Sequence, residues 1–187
     1  MRKQEKILLW GSNIWFLADG MLGPLFAVFI QKIGGSIFDI SWAWATYLVV
    51  KGFLSILIGK LSDSKWSKEK LMILGYSLNA FFTFSYIFVS TPMQLFLVQI
   101  GLGIAVAMAT PTWQALYSKY EEKGKGGSEW GLVDGDADII MGVSMIIGGY
   151  LVTMFSFKLL FFVMGTIQVI ATVYQAKILK KPRSKKV

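Results

Sequence analysis

The stretch from Met93 to Tyr117, MQLFLVQIGLGIAVAMATPTWQALY, carries no acidic or basic side chain. At a rise of about 1.5 Å per residue such a helix exceeds the roughly 30 Å hydrocarbon core of a bilayer, so it reads as a membrane span. Runs of the same kind lie on both sides: Ile7–Ile30, Ile40–Leu61 and Leu71–Val89 before it, Trp130–Phe155 and Leu159–Leu179 after it. The breaks hold turn chemistry, namely Gly34-Gly35-Ser36, Ser62-Asp63-Ser64, Ser90-Thr91-Pro92, Gly124 to Ser128, and Ser156. The pattern predicts an all-α membrane protein, a single bundle of six transmembrane helices over residues 1–187, with no room for a soluble domain.

Composition agrees with this reading. Hydrophobic residues make up 55 %, aromatics 15 % and charged residues 16 % of the 187-residue chain, with a mean hydropathy of +0.56. A water-soluble domain has too little interior to hide that much apolar surface. There is no cysteine and no histidine, so disulfides, thiol chemistry and the commonest metal ligand are excluded and no metal site is expected. The first apolar run is too long for a signal peptide and carries Asp19, so it is expected to stay as the first helix.

The formal charge of +8 lies between the apolar runs and not on one folded face. The N-terminus (Arg2, Lys3, Lys6), the second loop (Lys60, Lys65, Lys68, Lys70), the fourth loop (Lys119, Lys123, Lys125) and the tail (Lys177, Lys180, Lys181, Arg183, Lys185, Lys186) hold 16 basic residues. The other side holds only Lys32 and Lys158. By the positive-inside rule both termini are cytoplasmic, and so strong a bias argues against dual insertion. The tail reads as an orientation signal that touches anionic lipid, and no nucleic-acid partner is expected. Trp10, Trp42, Trp66 and Trp130 fall near helix ends, where an aromatic belt would place them.

Polar groups inside the spans are the candidate functional residues. Asp19 on the first helix and Lys51 on the second reach similar depth in an antiparallel hairpin. They read either as a structural ion pair or as a proton or substrate site. A spacing of four puts Tyr47, Lys51 and Ser55 on one stripe, and Gln99, Gly103, Thr110 and Gln114 share another. Such stripes face a cavity or one another. Asp134 and Asp136 read as charges favoured by a helix N-terminus, whereas Asp138 is deep enough to stay a site candidate. Gly131, Gly135, Gly142, Gly148 and Gly149 give the fifth helix a face that another helix can approach closely. The Gly124–Ser128 segment lacks the spacing and preceding strand of a phosphate-binding loop, so neither an ATP-driven pump nor a cofactor is expected.

The loop Gly59-Lys60-Leu61-Ser62-Asp63-Ser64-Lys65-Trp66-Ser67-Lys68-Glu69-Lys70-Leu71 resembles the signature loop of the major facilitator superfamily. Gly59, Leu61, Asp63, Lys68 and Leu71 match its pattern, and Trp66 and Ser67 replace a Gly and an Arg. Gly20 and Pro24, Gly101, Gly103 and Pro111, and Gly142, Gly148 and Gly149 also fall where the N-terminal half of such a transporter has them. The helix-4 Arg of the family is replaced by Leu97, and the antiporter-type Gly-Pro by Ser144-Met145, which departs from a proton-linked drug antiporter. A weak echo between Gly59-Lys60-Leu61 and Gly149-Tyr150-Leu151 fits a three-plus-three inverted repeat.

The resemblance implies half of a twelve-helix transporter, not an enzyme, that moves a small-molecule substrate by alternating access in the lipid bilayer of a bacterial or archaeal plasma membrane. A parallel two-fold homodimer would rebuild the full fold, with Asp63 of one copy near Gly131 of the other. The alternatives are a half that needs a separate partner chain, or a non-transporting scaffold or relic.

Overall fold

The computed structural model describes residues 2–64, 66–122 and 124–179. Of the basic residues that set the expected orientation, Lys65, Lys123, Lys180, Lys181, Arg183, Lys185 and Lys186 lie outside the described residues. The elements are α1 (Lys3–Gly20), α2 (Leu25–Lys32), α3 (Ile37–Ser64), α4 (Lys68–Ser85), a 3-10 turn (Tyr86–Phe88), α5 (Pro92–Tyr120), α6 (Gly126–Met154), α7 (Phe157–Gln175) and a closing 3-10 turn (Ala176–Leu179). Five segments are long and apolar enough to cross a membrane, and α1 with α2 makes a sixth that is bent by 44°.

Local chemistry sets the helix ends. Ser67, Thr91 and Ser156 are N-caps whose hydroxyls accept from the backbone N–H of Lys70, Gln94 and Leu159. Gly34, at φ 83°, turns the chain out of α2. The run read as one helix over 7–30 is broken instead. Pro24 brings no N–H and its ring would clash with the carbonyl of Gly20, so α1 ends there and α2 restarts at Leu25. Pro111 leaves a similar gap in α5, and the Thr112 hydroxyl donates to Met108 O at 2.6 Å and Ala109 O at 3.0 Å beside it.

The fifth span starts earlier than its sequence indicates, at Gly126. The Glu129 carboxylate accepts the Glu122 backbone N–H at 3.2 and 3.3 Å, which ties the preceding loop over the first turn. Asp134 and Asp136 therefore lie two turns or more inside α6, too deep for the dipole role expected of them, and Glu129 is the first-turn acid. Trp130, near the start of α6, is half-buried and packs on Trp113 and Tyr117 at centroid distances of 6.3 and 5.4 Å.

Packing follows a repeat. With α1 and α2 counted as the first span, spans 1 and 5, 1 and 6, 2 and 4, 3 and 4, and 3 and 6 are the main neighbours. Exchanging spans 1–3 with spans 4–6 maps this set onto itself, as an inverted repeat requires. The closest crossings use glycine. A Cβ on Gly148 would collide with the Met21 carbonyl, and one on Gly20 with Ser144, which locks α6 against the break in the first span. A Cβ on Gly103 would lie 3.0 Å from Tyr47 O, where α5 crosses α3.

Burial is very unequal. Helix α5 buries 14 residues and sits at the centre, whereas α3 buries only Ala43 and Ser62 and α6 only five residues. On α3, Gly52 and Gly59 meet open space, and on α6 Gly135, Gly142 and Gly149 do the same. Each set is spaced by seven, so its glycines share one uncovered helix face.

Candidate functional site

The break between α1 and α2 has a chemical consequence. It places Asp19 in the last turn of α1, in the wall of a cavity of about 230 Å³ between the spans. Tyr47 of α3, Asn79 and Thr83 of α4, Tyr86 of the 3-10 turn and Gln99 of α5 line the same space. Asp19 is exposed to that space, and its carboxylate has no hydrogen bond or ion pair with any described residue. Asn79 is 3 % exposed with its Nδ2 unpartnered, and Gln99 is 2 % exposed. Amide- and phenol-bearing residues thus line the same cavity as a carboxylate that has no partner among the described residues, an arrangement that can hold a polar solute or a proton. No cluster of three or more acidic residues among the described residues is placed to hold a metal ion.

Of the residues singled out in the sequence, Asp19, Tyr47 and Gln99 come together here. Lys51 lines neither this cavity nor the one below. Its Nζ stands 5.8 Å from the Tyr47 ring centroid, within electrostatic range of Asp19 but without an ion pair to it. Asp138 is exposed on α6, in line with Gly135 and Gly142, and lines neither cavity. Gln114 is exposed and lines a second cavity of about 130 Å³ nearer the N-terminus. Asn79, Thr83 and Tyr86 were not singled out. Their spacing of four and three along one apolar span is the same polar-stripe signal that marked α3 and α5.

The loop after α3 forms a closed unit within the chain. Lys68 Nζ donates to Asp63 Oδ1 at 2.7 Å and to Ser62 O at 2.8 Å, which pins the start of α4 to the end of α3. A Cβ added at Gly59 or Gly131 would meet nothing within 4 Å in this chain.

Six spans packed as an inverted repeat around a polar cavity agree with the comparison of the sequence with known families. The Major Facilitator Superfamily profile matches residues 8–187. The chain belongs to the Major Facilitator Superfamily. It is therefore a multi-pass integral membrane protein of a transporter family, not one of enzymes. Among its relatives is the uncharacterized MFS-type transporter MJ1560 of Methanocaldococcus jannaschii, 26 % identical over 92 % of this chain and 45 % of that protein. The multidrug resistance protein MdtG of Klebsiella pneumoniae is 22 % identical over 91 % of this chain and 42 % of its own length. The chain thus spans about half the length of these relatives. The uncharacterized MFS-type transporter YitZ of Bacillus subtilis is 20 % identical over 79 % of this chain and 89 % of that protein.

Proposed function

We propose that residues 1–187 form one six-helix bundle that works as half of a secondary transporter of a small solute. Two copies pack in parallel about a two-fold axis, with all termini on the cytoplasmic side of a bacterial or archaeal plasma membrane. The halves rock about a central site, and Asp19 carries the coupling proton.

The observation that carries this reading is the pair of uncovered glycine stripes, on α3 and α6, flanking a cavity with an unpaired carboxylate. A lone carboxylate at mid-membrane costs about 2.5–3.5 kcal/mol on insertion scales, and a purely structural role would be met by a partner. A two-fold axis sets α3 of each copy against α6 of the other, so the two uncovered glycine faces meet twice. It also brings Asp138, on the open stripe, to the interface, and places two copies of Asp19 and Lys51 near one central space. Asp63 of one copy then lies at Gly131 near the start of the partner's α6.

The test is the mass of the detergent-solubilised particle together with disulfide trapping between Asp63→Cys and Gly131→Cys. A particle holding two 20.9 kDa chains and crosslinks between chains are expected. A particle that contains a different six-helix protein, or crosslinks confined to one chain, would overturn the homodimer.

A further inference from the structure

We propose that the second cavity binds an organic ammonium ion. The space of about 130 Å³ lies between α1, α4, α5 and α6, in the half of the bundle nearer the N-terminus. Its walls are the rings of Trp15, Phe16, Tyr76, Trp113 and Trp130, and Asp134 supplies a carboxylate.

The polar edges of three of these rings are tied to other groups. Trp113 Nε1 donates to Leu8 O at 3.2 Å, Trp130 Nε1 donates to Glu121 Oε2 at 3.0 Å, and the Tyr76 hydroxyl accepts from Gln175 Nε2 at 3.2 Å. The rings form two edge-on corners. Trp113 and Trp130 meet at 80° with centroids 6.3 Å apart, and Trp15 and Phe16 at 72° with centroids 5.1 Å apart. Ring faces carry negative potential and attract a cation within about 6 Å of the centroid.

Asp134 has no hydrogen bond or ion pair with any described residue, and no Lys or Arg lines the cavity. A carboxylate beside aromatic rings, with no cation of the protein's own lining the space, is complementary to a weakly hydrated ammonium. Trp15 Nε1 is buried and unpartnered and presents no surface to the cavity, so recognition rests on the rings and Asp134.

The assignment deepens the transport reading and rests on it for its role, but binding can be measured without transport. The full chain in detergent is titrated with choline while its tryptophan fluorescence is followed, and with 3,3-dimethylbutan-1-ol, the neutral carbon analogue of choline. Saturable quenching by choline and none by the analogue are expected. Asp134→Asn weakens choline binding by about tenfold or more, Trp130→Leu weakens it, and Trp130→Phe, which restores a ring, recovers it. Equal response to both probes, unchanged affinity in Asp134→Asn, or loss in Asp19→Asn with retention in Asp134→Asn would overturn the assignment. Choline binding without uptake into proteoliposomes would refute transport of this cation and keep the site. Uptake of another solute with no choline binding would refute the site and keep transport.

Discussion

Replacing Asp19 by Asn separates a coupling role from a structural one. The side chains have the same shape, and the Asp19 carboxylate accepts nothing from the described residues, so no partner is lost. Removing the charge relieves part of an insertion penalty of about 2.5–3.5 kcal/mol, since the amide stays polar. The variant is therefore expected to insert, to assemble and to melt in detergent at or above the wild-type temperature. Its effect falls on accumulation. One proton carried per solute down a gradient of one pH unit supplies about 1.4 kcal/mol, which supports about tenfold accumulation. Without a titrating group at position 19 that ratio falls to about one, while solute exchange at equal concentrations persists. The assay is steady-state uptake into proteoliposomes under an imposed pH gradient, with choline or another solute that the wild type concentrates. Undiminished accumulation in Asp19→Asn would remove the residue from the mechanism, and loss of folding would make it structural.

Two further outcomes follow from packing and topology. Gly148→Leu drives a side chain into the Met21 carbonyl and is expected to destabilise the fold by about 1–3 kcal/mol or more. Gly142→Leu, where a Cβ meets nothing, is expected to leave the melting temperature of the single chain unchanged and to lower the dimer fraction. Equal thermal losses in both would contradict the crossing of α6 on the first span. For orientation, Ser64→Cys in this cysteine-free chain should resist an impermeant thiol reagent added to intact cells, and Ser90→Cys should react. The reverse pattern would invert the assignment of sides.

Much of this architecture is legible in the sequence because a bilayer imposes a length of apolar helix, and that length can be counted. The breaks are less legible. Gly23-Pro24 is visible as a local disruption, but a run of apolar residues on both sides gives the same hydropathy whether the helix bends there or not. The start of α6 is obscured for another reason. Glycines 124, 126 and 127 lower helix propensity, and what holds the first turn is a long-range choice, the Glu129 carboxylate folding back to the Glu122 N–H.

The site divides in the same way. A spacing of three or four fixes the direction in which a side chain leaves its helix, but it does not say which neighbour stands at that depth. Gln99 and Thr110 share a stripe on α5, yet they are separated by about 16 Å of helix axis, and the structure assigns one to each cavity. The same limit applies to Asp19 and Lys51. Similar depth on adjacent spans made them a pair in the sequence. Their bearing around each helix separates them, because α3 meets α5 through Gly103 and leaves Lys51 beside Tyr47, outside the cavity that holds Asp19. That separation is what leaves Asp19 without an ion pair. If rocking brings Lys51 toward Asp19 in one conformation and away in the other, the two carboxylate states differ in their electrostatic partner, and proton uptake is coupled to the motion.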